Sequence, residues 1–237
     1  MHIALISQST LVSNTDAKTI ADACQAQLTN DFLPAWNMKE AFCAFYPDKS
    51  VIPSNYWVVN LLDNPTQAGA LGYHSVDNDE IDAFVFAQPT LSNGGVVLYD
   101  MTNPQNVSVA SVVSHEILEM AGDMYANTYC DFGNKSFALE ACDAVQGNSY
   151  IVSVDGKNVS VSDFVYMSYF DPQATISDRP FNHLNTLTAP FSIAPGGYQI
   201  VRASGPGSET QVFGDAMPEW VKETKKTAFA RFALRTK

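Results

Sequence analysis

Charge is scarce in this chain, and positive charge is scarcer. Only 16% of the 237 residues are Asp, Glu, Lys or Arg, and thirteen basic side chains face twenty-five acidic ones, for a net charge of −12. A body this acidic repels nucleic acid and anionic lipid surfaces, so neither is expected as a partner. Long apolar runs are missing as well. No stretch reaches the roughly 18 apolar residues that a membrane-spanning helix needs. Met1-His2 runs straight into Ile3–Ile6. That start has no basic residue and too short an apolar run for a signal peptide, so a reducing, cytoplasmic setting is expected. Cysteine is limited to Cys24, Cys43, Cys130 and Cys142, with no C-x-x-C pair. A zinc ribbon is therefore excluded, and four ordinary thiols are expected; Cys130 and Cys142, flanking a Gly-containing segment, are the pair placed to join on oxidation.

What is present suffices for a packed core, since 46% of the residues are hydrophobic. His2–Ser7, Ala41–Tyr46, Tyr56–Leu62 and Ala83–Ala87 read as strands, and Val96–Tyr99 as a short one. Asn14-Thr15-Asp16 opens a helix in which Ile20, Ala23, Cys24 and Leu28 recur at helical spacing. Gly69–Glu80 reads as a polar loop, and Phe137–Asp143 as an ordered piece of undefined type. Val107 to about Met124 has a helical apolar side (Val109, Val112, Val113, Ile117, Met120, Ala121), with Ser108 or Asn106 as its cap. Two hairpins are expected later: Tyr150–Val154 with Val159–Val165 around Asp155-Gly156, and Phe191–Ile193 with Tyr198–Arg202 around Pro195-Gly196-Gly197. Strands and one helix, then a central helix, then strands suggest an α+β fold rather than a doubly wound sheet.

The chemistry lies in Ser114-His115-Glu116-Ile117-Leu118-Glu119-Met120. Residues four apart on a helix share a face, so His115 and Glu119 can point at one ion. Glu116 projects beside them, placed to accept a proton from water as a general base. With four histidines and eight glutamates in the chain, chance places H-E-x-x-E about 0.005 times per sequence of this length. Acidic residues at a helix N-terminus need no metal, because the helix dipole favours them, but Glu116 and Glu119 fall in mid-helix. A third ligand must come from elsewhere. Glu140, in the apolar run Phe137-Ala138-Leu139, is favoured, because a carboxylate buried there without a cation would be costly. Asp143 is an alternative ligand or an acceptor that orients His115, and Asp123 and Asp131 are further candidates. His74, in a polar loop before the Ala83 strand, could reach the cleft, but it and His183 read first as surface or satisfied histidines. Tyr166 and Tyr169 read as packing aromatics that could otherwise donate to an oxyanion.

This segment resembles the H-E-x-x-H helix of the zincin metallopeptidases, with Glu119 in place of the second His. The resemblance implies a zincin-like core, a mixed sheet plus an active-site helix, in which His115, Glu119 and Glu140 hold zinc and Glu116 is the catalytic base. A site of one His and two carboxylates is harder, which brings Mn2+ or Ca2+ into range. More of the chain is similar to a family of uncharacterised proteins encoded by bacteria and their phages. That likeness runs through Gly72-Tyr73-His74, Ser114–Met120, Leu139–Val145, Val161–Val165, Gly197–Arg202, Gln211–Gly214 and Met217-Pro218.

These readings imply a zincin-like metal-binding domain over residues 1–175 and a hairpin-rich extension over 176–237 packed on the same domain. The expected activity is zinc-dependent hydrolysis of a peptide or protein substrate. The rival expectation is a virion structural or assembly protein whose metal site braces the fold or is vestigial. Its docking element would be the basic tail, where Lys222, Lys225, Lys226, Arg231, Arg235 and Lys237 supply six of the thirteen basic residues.

Overall fold

The computed structural model describes residues 1–66, 70–77, 80–177, 179–203 and 209–216. The basic tail and the Met217-Pro218 pair lie outside the described residues. The fold is mixed α+β, with three sheets among the described residues. Strands β1 (His2–Ser7), β2 (Phe42–Tyr46), β3 (Trp57–Leu62), β4 (Gly72–Asp77) and β5 (Glu80–Phe86) form the largest, in the order β2-β1-β3-β5-β4. The pairs β1/β2, β1/β3 and β3/β5 are parallel, and β4 closes the edge antiparallel to β5. Ile3–Ile6 of β1 are buried throughout, as a strand covered on both faces requires.

Helix α1 (Asn14–Gln27) links β1 to β2 and is capped by Ser13, whose Oγ accepts from the Asp16 N–H. A π-helical turn over Leu28–Phe32 and the short α2 (Leu33–Ala35) extend it. They carry Phe32 and Trp36 onto Phe164 and Phe170, and the Trp36 Nε1–H donates to the Val165 carbonyl at 2.8 Å. The short α3 (Ala87–Ser92) follows β5 and includes Pro89. Helix α4 (Val109–Gly122) is the centre of the molecule: every residue from Val109 to Ala121 except Ser111 is buried. Ser108 caps it in a reciprocal box with Ser111, at 2.9 and 3.1 Å. It packs against β3, β4 and β5, and also against α1 and β9.

The later strands are β6 (Tyr129–Phe132), β7 (Lys135–Ala138), β8 (Ser149–Val154), β9 (Lys157–Ser162), β10 (Tyr198–Ala203) and β11 (Glu209–Phe213). The hairpin around Asp155-Gly156 is β8/β9. Three expectations need correction. Gly69–Glu80 is not simply a loop, because Gly72–Asp77 is β4, an edge strand too polar to show an apolar pattern. Val96–Tyr99 forms no strand; it is held by a single bridge to Ser108 and by Ala110 and Ser160 N–H groups donating to the Val97 and Leu98 carbonyls. Phe191–Ile193 does not pair with β10. Phe191 has a φ of 53° and turns its ring onto Phe132, Phe137 and Tyr169, while β10 pairs with β7 and β11. Residues beyond 176 therefore complete a sheet begun at 129, and Phe181, Leu187 and Phe191 join the main core.

All four cysteines are free thiols, and burial first of all raises the pKa of each. Among the described residues no helix is long and apolar enough to cross a membrane.

The loop after β1 is tied to the end of β3 by Asp63. Its carboxylate accepts from the Ser9 hydroxyl, the Thr10 hydroxyl (2.7 Å), and the Thr10 and Leu11 N–H groups (3.0 and 3.2 Å). Those bonds, the Ser9 one first, hold its pKa down at about 2. An unfolded Asp titrates near ~3.9, so the folded state gains full stability from this group above that value and loses it as pH falls through about 2. Asp63→Ala should cost about 1 kcal/mol at neutral pH, a modest loss because the site is solvated. Urea midpoints of the two proteins should converge between pH 4 and pH 2; a gap that ignores pH would contradict this role.

Candidate metal centre

Three segments meet at the middle of α4. The helix presents His115, Glu116 and Glu119. Strand β4 brings His74, the stretch after β7 brings Glu140, and the 3-10 turn Asp143–Val145 brings Asp143. All six side chains belong to residues between 1% and 7% exposed. His115 Nε2 lies 3.0 Å from Glu119 Oε1 and 3.3 Å from Asp143 Oδ1. His74 Nδ1 lies 3.7 Å from Glu119 Oε2 and 3.8 Å from Glu116 Oε2. Two ligand sets result, each with its donor atoms within 4.8 Å of one another: His115, Glu119 and Asp143, and His74, Glu119 and Glu140.

The favoured sequence set of His115, Glu119 and Glu140 is thus divided. Asp143 stands with His115, and Glu140 stands with His74. Asp123 is engaged elsewhere: it ends α4, and its carboxylate accepts the Thr128 N–H at 2.7 Å and hydroxyl at 3.0 Å. Asp131 accepts from the Ser136 hydroxyl. His183 stacks on Phe164 and meets the Tyr166 hydroxyl at 3.4 Å. The Tyr169 hydroxyl donates a hydrogen bond to the Ser192 carbonyl at 2.9 Å. His74, which the sequence ranks first as a surface or satisfied histidine, takes its other option and joins the cluster. The signal for it was Gly72-Tyr73-His74 ahead of an apolar strand, with Asp-Asn-Asp turn chemistry between.

Each position has a local cause. On β4, Gly72 sits against Glu116: a Cβ there would come within 2.7 Å of Glu116 Oε1 and 3.1 Å of Cδ. Only glycine lets the edge strand approach the helix this closely. The helix is fixed on its opposite side by a buried ring. Ser114 Oγ donates to Gln27 Oε1 (2.7 Å), Gln27 Nε2 to the Ser162 carbonyl (2.8 Å), and the Ser162 N–H to Ser114 Oγ (2.9 Å). The Glu140–Asp143 stretch is pinned by the Val165 N–H on the Ala141 carbonyl (2.8 Å) and the Ala194 N–H on the Ala144 carbonyl (2.9 Å).

The electrostatics favour a cation. Burial by itself would lower the His115 imidazole, but Glu119 first, then Asp143 and Glu116, raise it to about 10. The same carboxylates that favour the charged imidazole favour a cation placed among them. The donor chemistry also fits: around a tetrahedral ion with bonds of about 2.0–2.1 Å, ligand atoms sit roughly 3.3 Å apart, close to the His115 distances. Cys142, between the two acids, stays a thiol because burial pushes it well up. Beside the cluster a small pocket of about 10 Å³ is lined by Glu140, Asp143, Tyr169, Phe170, Tyr198 and Gln199.

Comparison with known proteins finds no matching family model, no matching curated protein and no matching solved structure.

The ring at Ser114 makes a specific prediction. Ser114→Ala strands the Gln27 carbonyl oxygen and the Ser162 N–H in the core, at a cost of about 2 kcal/mol or more. Urea denaturation should show the midpoint falling with the slope unchanged. A loss within ~0.5 kcal/mol, the range of a surface change, would show that the ring does not hold the helix.

Proposed function

We propose that this chain is a metal-dependent hydrolase that cleaves a peptide bond. The observation that carries the reading is Glu116, a buried carboxylate next in sequence to His115 and in the same cluster as Glu119 and Asp143. Those three residues, His115, Glu119 and Asp143, would hold the ion, with zinc favoured and Mn2+ or Ca2+ compatible with the carboxylates. A divalent ion there supplies Lewis acidity at the attacked carbonyl. Glu116 takes the proton from the attacking water and returns it to the leaving amine. Gly72 keeps β4 close to Glu116, and β4 is the last strand of its sheet among the described residues. Its other edge can pair with an extended peptide and lay it past the helix. The motif around His115, similar to the zincin helix, supports the same reading.

One observation favours a second reading. The cluster is closed, and the adjoining pocket has room for about one water. Structural metal sites are closed, whereas catalytic ones keep a position open. An ion that braces the fold of a virion or assembly component would use the cluster in this way.

Zinc-loaded protein and its variants separate the readings. Wild type should cleave an unstructured protein such as casein. Glu116→Gln should keep its zinc by elemental analysis while cleavage falls about 10²- to 10⁴-fold. His115→Ala should bind zinc far more weakly. Equal zinc loss in both variants would make Glu116 a ligand and overturn its role as base. Firmly held zinc with no cleavage by wild type would favour the bracing ion.

A further inference from the structure

The cluster holds more donors than one ion needs, and they are arranged about one shared residue. Glu119 Oε1 faces His115 at 3.0 Å, while Glu119 Oε2 faces His74 at 3.7 Å. The two oxygens of a single carboxylate are thus directed to two different imidazoles. Behind each imidazole stands a further acid: Asp143 with His115, and Glu140 with His74. His74 adds an independent observation. It is 6% exposed, and neither ring nitrogen has a hydrogen-bond partner among the described residues. A buried imidazole ordinarily has one nitrogen to donate and one to accept, so a histidine that bonds through neither calls for a ligand.

We infer that the cluster is a two-cation centre, with Glu119 as the bridging carboxylate. His115 and Asp143 complete one site, and His74 and Glu140 complete the second. This inference rests on the metal reading proposed above and extends it from one ion to two. A carboxylate that bridges through both oxygens suits ions about 3.5–4 Å apart, the separation at which two ions clamp a single substrate oxygen pair. One imidazole with carboxylate oxygens at each site suits first-row divalent ions such as Mn2+ and Zn2+ rather than soft Cu(I). The near two-fold set of donors comes from unrelated places in the chain: β4, α4 and the Glu140–Asp143 stretch. The donors beyond a three-ligand site are therefore His74 and Glu140.

The test uses the full chain, stripped with a chelator and dialysed, then titrated with Mn2+ by equilibrium dialysis with elemental analysis. Two equivalents should bind per chain. Electron paramagnetic resonance on the fully loaded wild type should show a spectrum broadened and weakened by coupling between the two Mn2+ ions, a readout that needs no variant and no activity. His74→Ala and Glu140→Gln should each bind one equivalent and regain the resolved six-line signal of an isolated Mn2+ ion. One equivalent in wild type overturns the two-cation centre and leaves a one-ion site standing. Two equivalents in wild type that persist unchanged in both variants overturn the assignment of His74 and Glu140. No Mn2+ and no Zn2+ bound overturns the metal reading itself, and the inference with it.

Discussion

The burial of four carboxyl groups beside two imidazoles is the constraint from which the rest of this structure follows. Glu116, Glu119, Glu140 and Asp143 sit in the protein interior with His74 and His115. Like charges placed together away from water are costly unless positive charge is placed among them. The raised His115 imidazole records that demand, since the surrounding carboxylates overcome its own burial. A proton satisfies part of the demand, and on the proposed reading a divalent ion satisfies more of it.

The scaffold is arranged around this requirement. Helix α4 is buried on nearly every side, so its polar residues have no solvent to turn to and must be matched from neighbouring elements. One side is matched by Gln27, Ser114 and Ser162, a closed ring of neutral hydrogen bonds that joins α1, α4 and β9. The other is matched by the charged cluster, reached by an edge strand that glycine allows to come close and by a stretch that later residues clamp from behind. Residues far apart in sequence thus act on one point. Ala194, well after the cluster, fixes the turn carrying Asp143, and β10 completes the sheet whose strand β7 leads into Glu140.

How much of this was legible in the sequence varies with how local each cause is. Helix α4 was legible because its period, its Ser108 cap and its H-E-x-x-E spacing are all contained in one segment. The mixed α+β class and the β8/β9 hairpin were legible for the same reason. Strand β4 was not: it is an edge strand paired with β5, its side chains are mostly polar or small, and no apolar alternation marks it. His74 was lost with it, because a histidine's surroundings are set by tertiary packing. The division of ligands between Asp143 and Glu140 was equally hidden, since three residues of spacing outside a helix carry no fixed direction. Phe191–Ile193 misled because an apolar triplet before Pro-Gly-Gly looks like a strand, whereas a left-handed Phe191 serves an aromatic cluster. Glycine at 72 would have been informative had its neighbour Glu116, forty-four positions away, been known.

The account stands or falls on whether a cation occupies this cluster. The most direct measurement is an anomalous difference map from crystals grown with Zn2+, recorded on both sides of the zinc absorption edge. A peak is expected among His115 Nε2, Glu119 and Asp143, present above the edge and absent below it. A map without a peak there, with His115 held as an imidazolium between Glu119 and Asp143, would contradict it.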